Sequence, residues 1–291
     1  MISIDPKSIE TVKLQGYLQS AVGPRPIAFA STIGVNGIPN LAPFSFFNVF
    51  SSNPPILIFS PARRVRDNTI KHTLINAEAT GEVVINVVNY DIVQQTSLAS
   101  TEYAEGVDEF LKSGLTPVPS VVVKPFRVKE SPVQFECKVT QIIPLGSEGG
   151  AGNLILCEVL YIHVAKSILN EDGSIDQHKI DLVSRLGANW YSRSNQGLFE
   201  VPKPLTTLGI GVDAIPDFVK NSPVLDGNDL GMLGNIETLP TTEEVSIFVN
   251  QNFAVKAVLS SDDLEKQHLE AKKYLLDKDV ISAWKVLLAK K

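Results

Sequence analysis

The run Ser60–Thr73, reading SPARRVRDNTIKHT, concentrates the residue types that hold a phosphate. Arg63, Arg64, Arg66 and Lys71 carry positive charge, and Ser60, Asn68 and Thr73 add short hydrogen-bonding groups. Guanidinium forks grip phosphate oxygens in pairs, and the free amides of a helix start add further donors. A charge run of this kind also reads as a solvated face, where ion pairs contribute little. A second strip, Asn40-Leu41-Ala42-Pro43-Phe44-Ser45-Phe46-Phe47-Asn48, mixes small, apolar and hydrogen-bonding groups. Ala42 and Pro43 let a backbone approach a flat ring, while Ser45 and Asn48 can donate or accept. The same PFSFF also reads as a core strand, since aromatic strand runs usually pack interiors.

Other chemistries find little support. His72, His163 and His178 are scattered and His268 lies near the C-terminus, so no metal site is expected. No nucleophile–base constellation stands out, and no side chain is assigned a catalytic role. The sequence lacks a Gly-x-Gly-x-x-Gly after a strand, which leaves a Rossmann nicotinamide site unsupported. Cys137 and Cys157 sit inside strand-like runs without metal-ligand spacing. They read as reduced core thiols of a cytoplasmic protein, the alternative being a disulfide between neighbouring strands.

These candidates need a scaffold, and the first two hundred residues offer short β-rich runs. The expected strands are 27–33, 56–59, 83–88, 133–143 and 154–164, bounded by Gly, Pro, Asn and Ser. Asn36-Gly37 within 33–39 marks a hairpin turn, because both residues accept positive φ. Helical patterns are few: 68–79, 90–100 and a short one over 177–184. Many strands with sparse helices point to a mainly β barrel rather than a doubly wound sheet. With 291 residues the chain can bury a large core. Its net charge of −6, without a basic block, argues against nucleic acid as a partner. No apolar run reaches membrane-spanning length, and Met1–Lys13 has no secretory h-region.

From about residue 22 the sequence reads VGPRPIAFASTIGVNGIPNLAPFSFFNVFSSNPPILIFSP, then RRVRDNTIKHTLINAEATGEVVINVV. Further blocks follow in order: GVDEFLKSGLTPVPS, SPVQFECKV, DGSID and RLGANWY. Together they resemble the flavin reductase-like family over about residues 10–195. The resemblance implies a Greek-key split β-barrel that forms a homodimer and binds FMN, ahead of FAD, at the subunit interface. It implies that Ser31, Thr32 and the 40–48 strip contact the flavin ring and ribityl chain. It carries Lys71 and Thr73 over as phosphate ligands and favours the phosphate reading of Ser60, Arg63, Arg66 and Asn68 beside them. The family usually reads Lys-Asp-Thr where this chain has Lys71-His72-Thr73, which leaves position 72 without an inherited role. Arg185, Gly187 and Tyr191 match a late family block near the flavin mouth. Trp190 and Tyr191 can stack on flavin or nicotinamide, or simply pack.

The implied activity is that of an NAD(P)H:flavin reductase supplying reduced flavin to a monooxygenase or another acceptor, with NAD(P)H as a transient reductant. Two alternatives stay open: a tight FMN-binding electron carrier resembling flavoredoxin, and a flavin-binding interaction module with little turnover. The barrel is expected to occupy residues 1–204. Residues 205–291 read as an accessory C-terminal segment, loop-rich to Pro240 and then helical, packed on the barrel or on a partner subunit. Helix starts are expected at Thr241-Thr242 and at Ser261-Asp262-Asp263, with a last helix over 277–288.

Overall fold

The computed structural model describes residues 1–204, 207–261 and 263–289. It divides into two compact units, Met1–Leu198 and Phe199–Lys291. In the first, helix α1 (Thr11–Ala21) precedes strands β1 (Ala28–Ile33), β2 (Pro39–Phe44), β3 (Phe47–Ser52) and β4 (Pro55–Phe59). Helix α2 (His72–Thr80) leads to β5 (Glu82–Val87), followed by α3 (Val93–Ala99) and α4 (Glu109–Ser113). The short β6 (Pro117–Val118) and β7 (Arg127–Val128) come next, then the long β8 (Val133–Pro144) and β9 (Asn153–Val164). A short helix α5 (Gln177–Ile180) and the pair β10 (Val183–Arg185) and β11 (Tyr191–Arg193) complete the unit.

One seven-stranded antiparallel sheet dominates, in the order β2-β1-β5-β8-β9-β4-β3. Its two edge strands, β2 and β3, are consecutive in sequence and joined only by Ser45 and Phe46. Three peptide steps span about 11 Å at most, so the sheet must curl until its edges nearly meet. The seam between them carries no ladder: this is a split β-barrel. β1 is buried on both faces, and its alternate residues feed different cores. Ala28 and Ala30 join Phe44, Phe59, Val83 and Ile155, whereas Ile27 and Phe29 join Leu41, Val88 and Phe110.

The expected strands and the Asn36-Gly37 turn form as read, with Gly37 at φ 80°. The helix expected over 68–79 starts only at His72, because Asn68 adopts φ 57° and Asp67 ties back the Thr69 amide at 3.0 Å. Tyr90 opens a 3₁₀ turn before α3, and the pattern over 177–184 splits into α5 and β10. Cys137 and Cys157 are buried free thiols on adjacent strands. Burial pushes Cys157 up to about 12, so it remains protonated.

Glu136 on β8 is fully buried and fastens the segment that precedes β7. Its carboxylate accepts from the amides of Val121 at 2.8 Å and Val122 at 2.7 Å, and from His163 Nε2 at 2.7 Å. Burial alone would raise its pKa, but the two amides and His163 outweigh that and lower it below the usual range. The stabilisation is therefore complete above the unfolded carboxyl pKa and fades as pH falls through the lower folded value. Glu136→Gln should cost about 1–3 kcal/mol near neutral pH, by leaving buried donors poorly matched. Urea titrations of both proteins should show that gap narrowing below about pH 4. A gap constant with pH would mean that charge is not what Glu136 contributes.

The second unit builds its own core from short helices. These are α6 (Asp217–Lys220), α7 (Gly227–Gly234), α8 (Thr242–Gln251), α9 (Phe253–Ser260), α10 (Leu264–Leu276) and α11 (Val280–Leu288). Ile215, Val219, Leu233, Val255, Leu275, Trp284 and Leu287 pack together, and Trp284 Nε1 donates to Leu233 O at 3.0 Å. The expected start at Thr241 is a capping box with Glu244, and Asp263 caps α10; Asp262 lies outside the described residues. Helices α6 and α7 emerge from a stretch whose Gly and Asp content reads as loop. A capping box between Asp226 and Asp229 offsets the glycines of α7. Lys272 reinforces it, its Nζ reaching Asp229 at 2.8 Å and Val224 O at 3.0 Å. Among the described residues no helix is long and apolar enough to cross a membrane.

Candidate functional site

The link at the barrel seam lies in an open cleft of about 400 Å³. Pro43, Phe44, Ser45 and Phe46 form one wall, and Ser60, Arg63, Arg64, Arg66 and Lys71 form another. Ser60 is brought there because its amide donates to Phe46 O at 2.8 Å. The following residues are clamped by the turn after β8, where Arg63 N donates to Ala151 O and Gly150 N donates to Arg63 O. Gly149 favours this approach: a Cβ there would sit 3.0 Å from the carbonyl oxygens of Arg64 and Val65, and the backbone would have to give.

The cations of the cleft are not equivalent. Arg63 is committed to the turn, its Nε and Nη2 donating to Asn68 Oδ1 at 2.6 Å and Asn68 O at 2.9 Å. Arg64 donates to Glu102 at 2.9 Å, to Thr69 Oγ1 at 2.8 Å and to Ile70 O at 2.9 Å. Arg66 bonds Asp67 at 2.9 Å and Glu102 at 3.0 Å and is largely exposed. Lys71 differs: it is half-buried and, among the described residues, its ammonium has no ion-pair or hydrogen-bond partner. Burial and the neighbouring Arg64 charge depress its pKa. Ser60 Oγ is buried and likewise unpartnered. A half-buried cation and a buried hydroxyl without a protein partner thus lie on the same cleft.

The structure gathers Pro43, Phe44, Ser45, Phe46, Ser60, Arg63, Arg66 and Lys71 of the sequence candidates into this cleft. Asn68 lines an adjoining groove of about 800 Å³ with Thr69, His72, Tyr103 and Glu105, which shares the arginines. Other candidates turn elsewhere. Asn40 Nδ2 donates to Thr73 Oγ1 at 2.9 Å in the interior, and Thr32 accepts from Asn76 at 3.1 Å. Ser31 is buried in β1 with an unpartnered Oγ, while Ala42 and Phe47 pack on the core. Asn48 is exposed on β3 and accepts from the Val49 amide at 2.8 Å. Arg185 lies 4.7 Å from the Tyr191 ring, with Trp190 exposed beside them.

Sequence reasoning passed over four contributors. Gln15 and Gln19 of α1 reach the cleft, and so does Glu102. Arg25 is buried and donates to the carbonyl oxygens of Gln19, Val22 and Leu186. It also sits 3.4 Å from Ser45 Oγ and 6.0 Å from the Phe46 ring centre, while its backbone pairs with Arg185. One guanidinium thus ties α1, the seam and the β10 end together. Its only signal in the sequence is an arginine between two prolines, which carries no hint of distant carbonyls.

The first unit is thus a split barrel with a cationic cleft beside the Pro43–Phe46 strip at its open seam. Over residues 22–179 the sequence matches the flavin reductase-like domain, and the chain belongs to that family of flavin-related oxidoreductases. A protein of Aquifex aeolicus is 40% identical over 60% of this chain and 86% of its own length. The nitrilotriacetate monooxygenase component B of Bacillus cereus is 29% identical, with a TM-score of 0.65, over 69% of this chain and 98% of that one. A split barrel domain protein from Shewanella frigidimarina, assigned as a flavin reductase, is 25% identical, with a TM-score of 0.59, over 70% of this chain and all of that one.

Proposed function

We propose that this chain binds FMN in the seam cleft and works as an NAD(P)H-dependent flavin reductase that passes electrons to a separate acceptor, such as a monooxygenase. The observation that carries the reading is the meeting of Lys71 and the arginines with the Pro43–Phe46 strip in one cleft. Lys71 and Ser60 are the groups best placed to take a phosphate, because neither has another partner among the described residues. Arg63 keeps the loop in shape around them. Pro43, Ser45 and Phe46 offer a flat, narrow wall to a ring, and Arg25 holds that wall in place. When bound, the flavin supplies the redox chemistry, accepting a hydride from a nicotinamide and handing the electrons on. The protein then has to bind, orient and shield the reactants.

The cleft is open, and beside it β3 exposes Val49 and Phe50 at 60% and 63%. A second copy of the chain is the cover proposed for that apolar edge, giving a two-fold homodimer. The two buried thiols favour a reducing, cytoplasmic compartment. The purified protein should bind FMN with quenched flavin fluorescence, scatter light as a dimer, and oxidise NADH or NADPH when flavin is added. Failure to bind FMN at tens of micromolar overturns the proposal. FMN binding without nicotinamide oxidation moves the protein to an electron-carrier role.

A further inference from the structure

Glu102 lies on the irregular segment between α3 and α4, far in sequence from the arginines it meets. Its Oε1 accepts from Arg64 Nε at 2.9 Å and its Oε2 from Arg66 Nη2 at 3.0 Å. One carboxylate thus spends both oxygens on two guanidinium groups, the arrangement in which two phosphate oxygens would be held. Asp67 divides its carboxylate between Arg66 alone, whose Nη2 donates to Oδ2 at 2.9 Å, and the local turn. Its Oδ1 accepts from the Thr69 amide at 3.0 Å and the Thr69 hydroxyl at 2.6 Å, which shapes the turn. Among the described residues Glu102 makes no side-chain bond except to Arg64 and Arg66. It lines both the seam cleft and the adjoining groove, so it faces whatever enters either.

We propose that Glu102 is an internal counter-anion, competing with the ligand's phosphate for Arg64 and Arg66 so that the flavin is held loosely enough to exchange. This rests on the phosphate-site reading above. The ion pairs are partly exposed, with the Glu102 side chain at 46%, so breaking them costs little and an entering phosphate can displace the carboxylate. Displacement still works against binding twice. The arginines must leave one anion for another, and the displaced carboxylate stays close enough to repel the newcomer. Lys71 and Ser60 remain to attract the phosphate, which keeps binding favourable but reversible. Such a device suits a protein that releases flavin to an acceptor rather than one that stores it.

The test is Glu102→Gln in the full chain, which keeps the side-chain shape and removes the charge. FMN affinity should tighten roughly five- to tenfold, and stopped-flow dissociation should slow by a similar factor. Riboflavin, which has the ring but no phosphate, should bind both proteins within about twofold, and this doubles as the control for an intact ring wall. The FMN affinity of the variant should also fall more steeply with salt than that of the wild type. Unchanged FMN affinity, or weaker FMN binding with riboflavin intact, overturns the proposal, the latter by showing that Glu102 orients the arginines. If the wild type itself fails to favour FMN over riboflavin, the phosphate-site reading falls, and this inference with it.

Discussion

Arg66→Ala combined with Lys71→Ala should weaken FMN binding by roughly ten- to a hundredfold while leaving riboflavin affinity within a few-fold. The two cations do not contribute equally. A charge-assisted hydrogen bond is worth about 1.5–3 kcal/mol when ordered, and much less where solvent screens it. Arg66 has 71% of its side chain exposed and already serves Asp67 and Glu102, so its share is the smaller. Lys71 is half-buried without an anion, and burial together with Arg64 depresses its pKa. A phosphate would supply the missing counter-charge, so the single Lys71→Ala variant should account for most of the loss. Raising the salt concentration should shrink the difference between wild type and double variant, because part of the attraction is long-range. Isothermal titration with both ligands decides the matter. Equal losses for FMN and riboflavin would assign these residues to the ring wall or the fold, and no loss for either would leave SPARRVRDNTIKHT a solvated loop.

Trp284→Ala should remove about 3–5 kcal/mol from the stability of the second unit. The indole is fully buried among Leu233, Leu275 and Leu287, so truncation leaves a large apolar void. It also strips the Leu233 carbonyl of its donor, a bond of 3.0 Å. Hydrogen exchange read peptide by peptide should show protection lost across residues 199–289. Phe253, 86% exposed on α9, is the matched control: Phe253→Ala should change stability by less than about 0.5 kcal/mol. A Trp284→Ala variant that keeps its protection would mean that the helices are held by something other than this core.

The amino-acid sequence by itself determined most of the local structure and the two contiguous runs that supply part of the cleft. The β-rich runs at 133–143 and 154–164 became β8 and β9, since residues that favour strands act locally between turn residues that end them. Asn36-Gly37 became the β1–β2 turn, and the Thr241–Glu244 and Asp263 caps began their helices, because turn and cap chemistry acts within a few residues. The cations of 63–71 and the strip 40–48 could be singled out for the same reason: each is a contiguous run whose chemistry is written in residue type.

Tertiary structure decided which of those residues share a space. The two-residue link between β2 and β3 turns a sheet into a barrel only once the other strands have paired between them, a matter of order rather than local propensity. That closure packs Phe44 and Phe47 against the core and leaves Phe46 on the cleft, with Phe44 lining both, so the core-strand reading of PFSFF covers only part of the run. It turns Asn40 and Thr73 towards each other and away from the cationic rim. It also brings Gln19, Arg25 and Glu102 to the site from three other segments, through carbonyls and guanidinium groups distant in sequence. Side-chain type is a property of position in the chain, but a partner is a property of packing. Long-range contacts formed by curling one sheet on itself leave no periodic trace in the residues that make them.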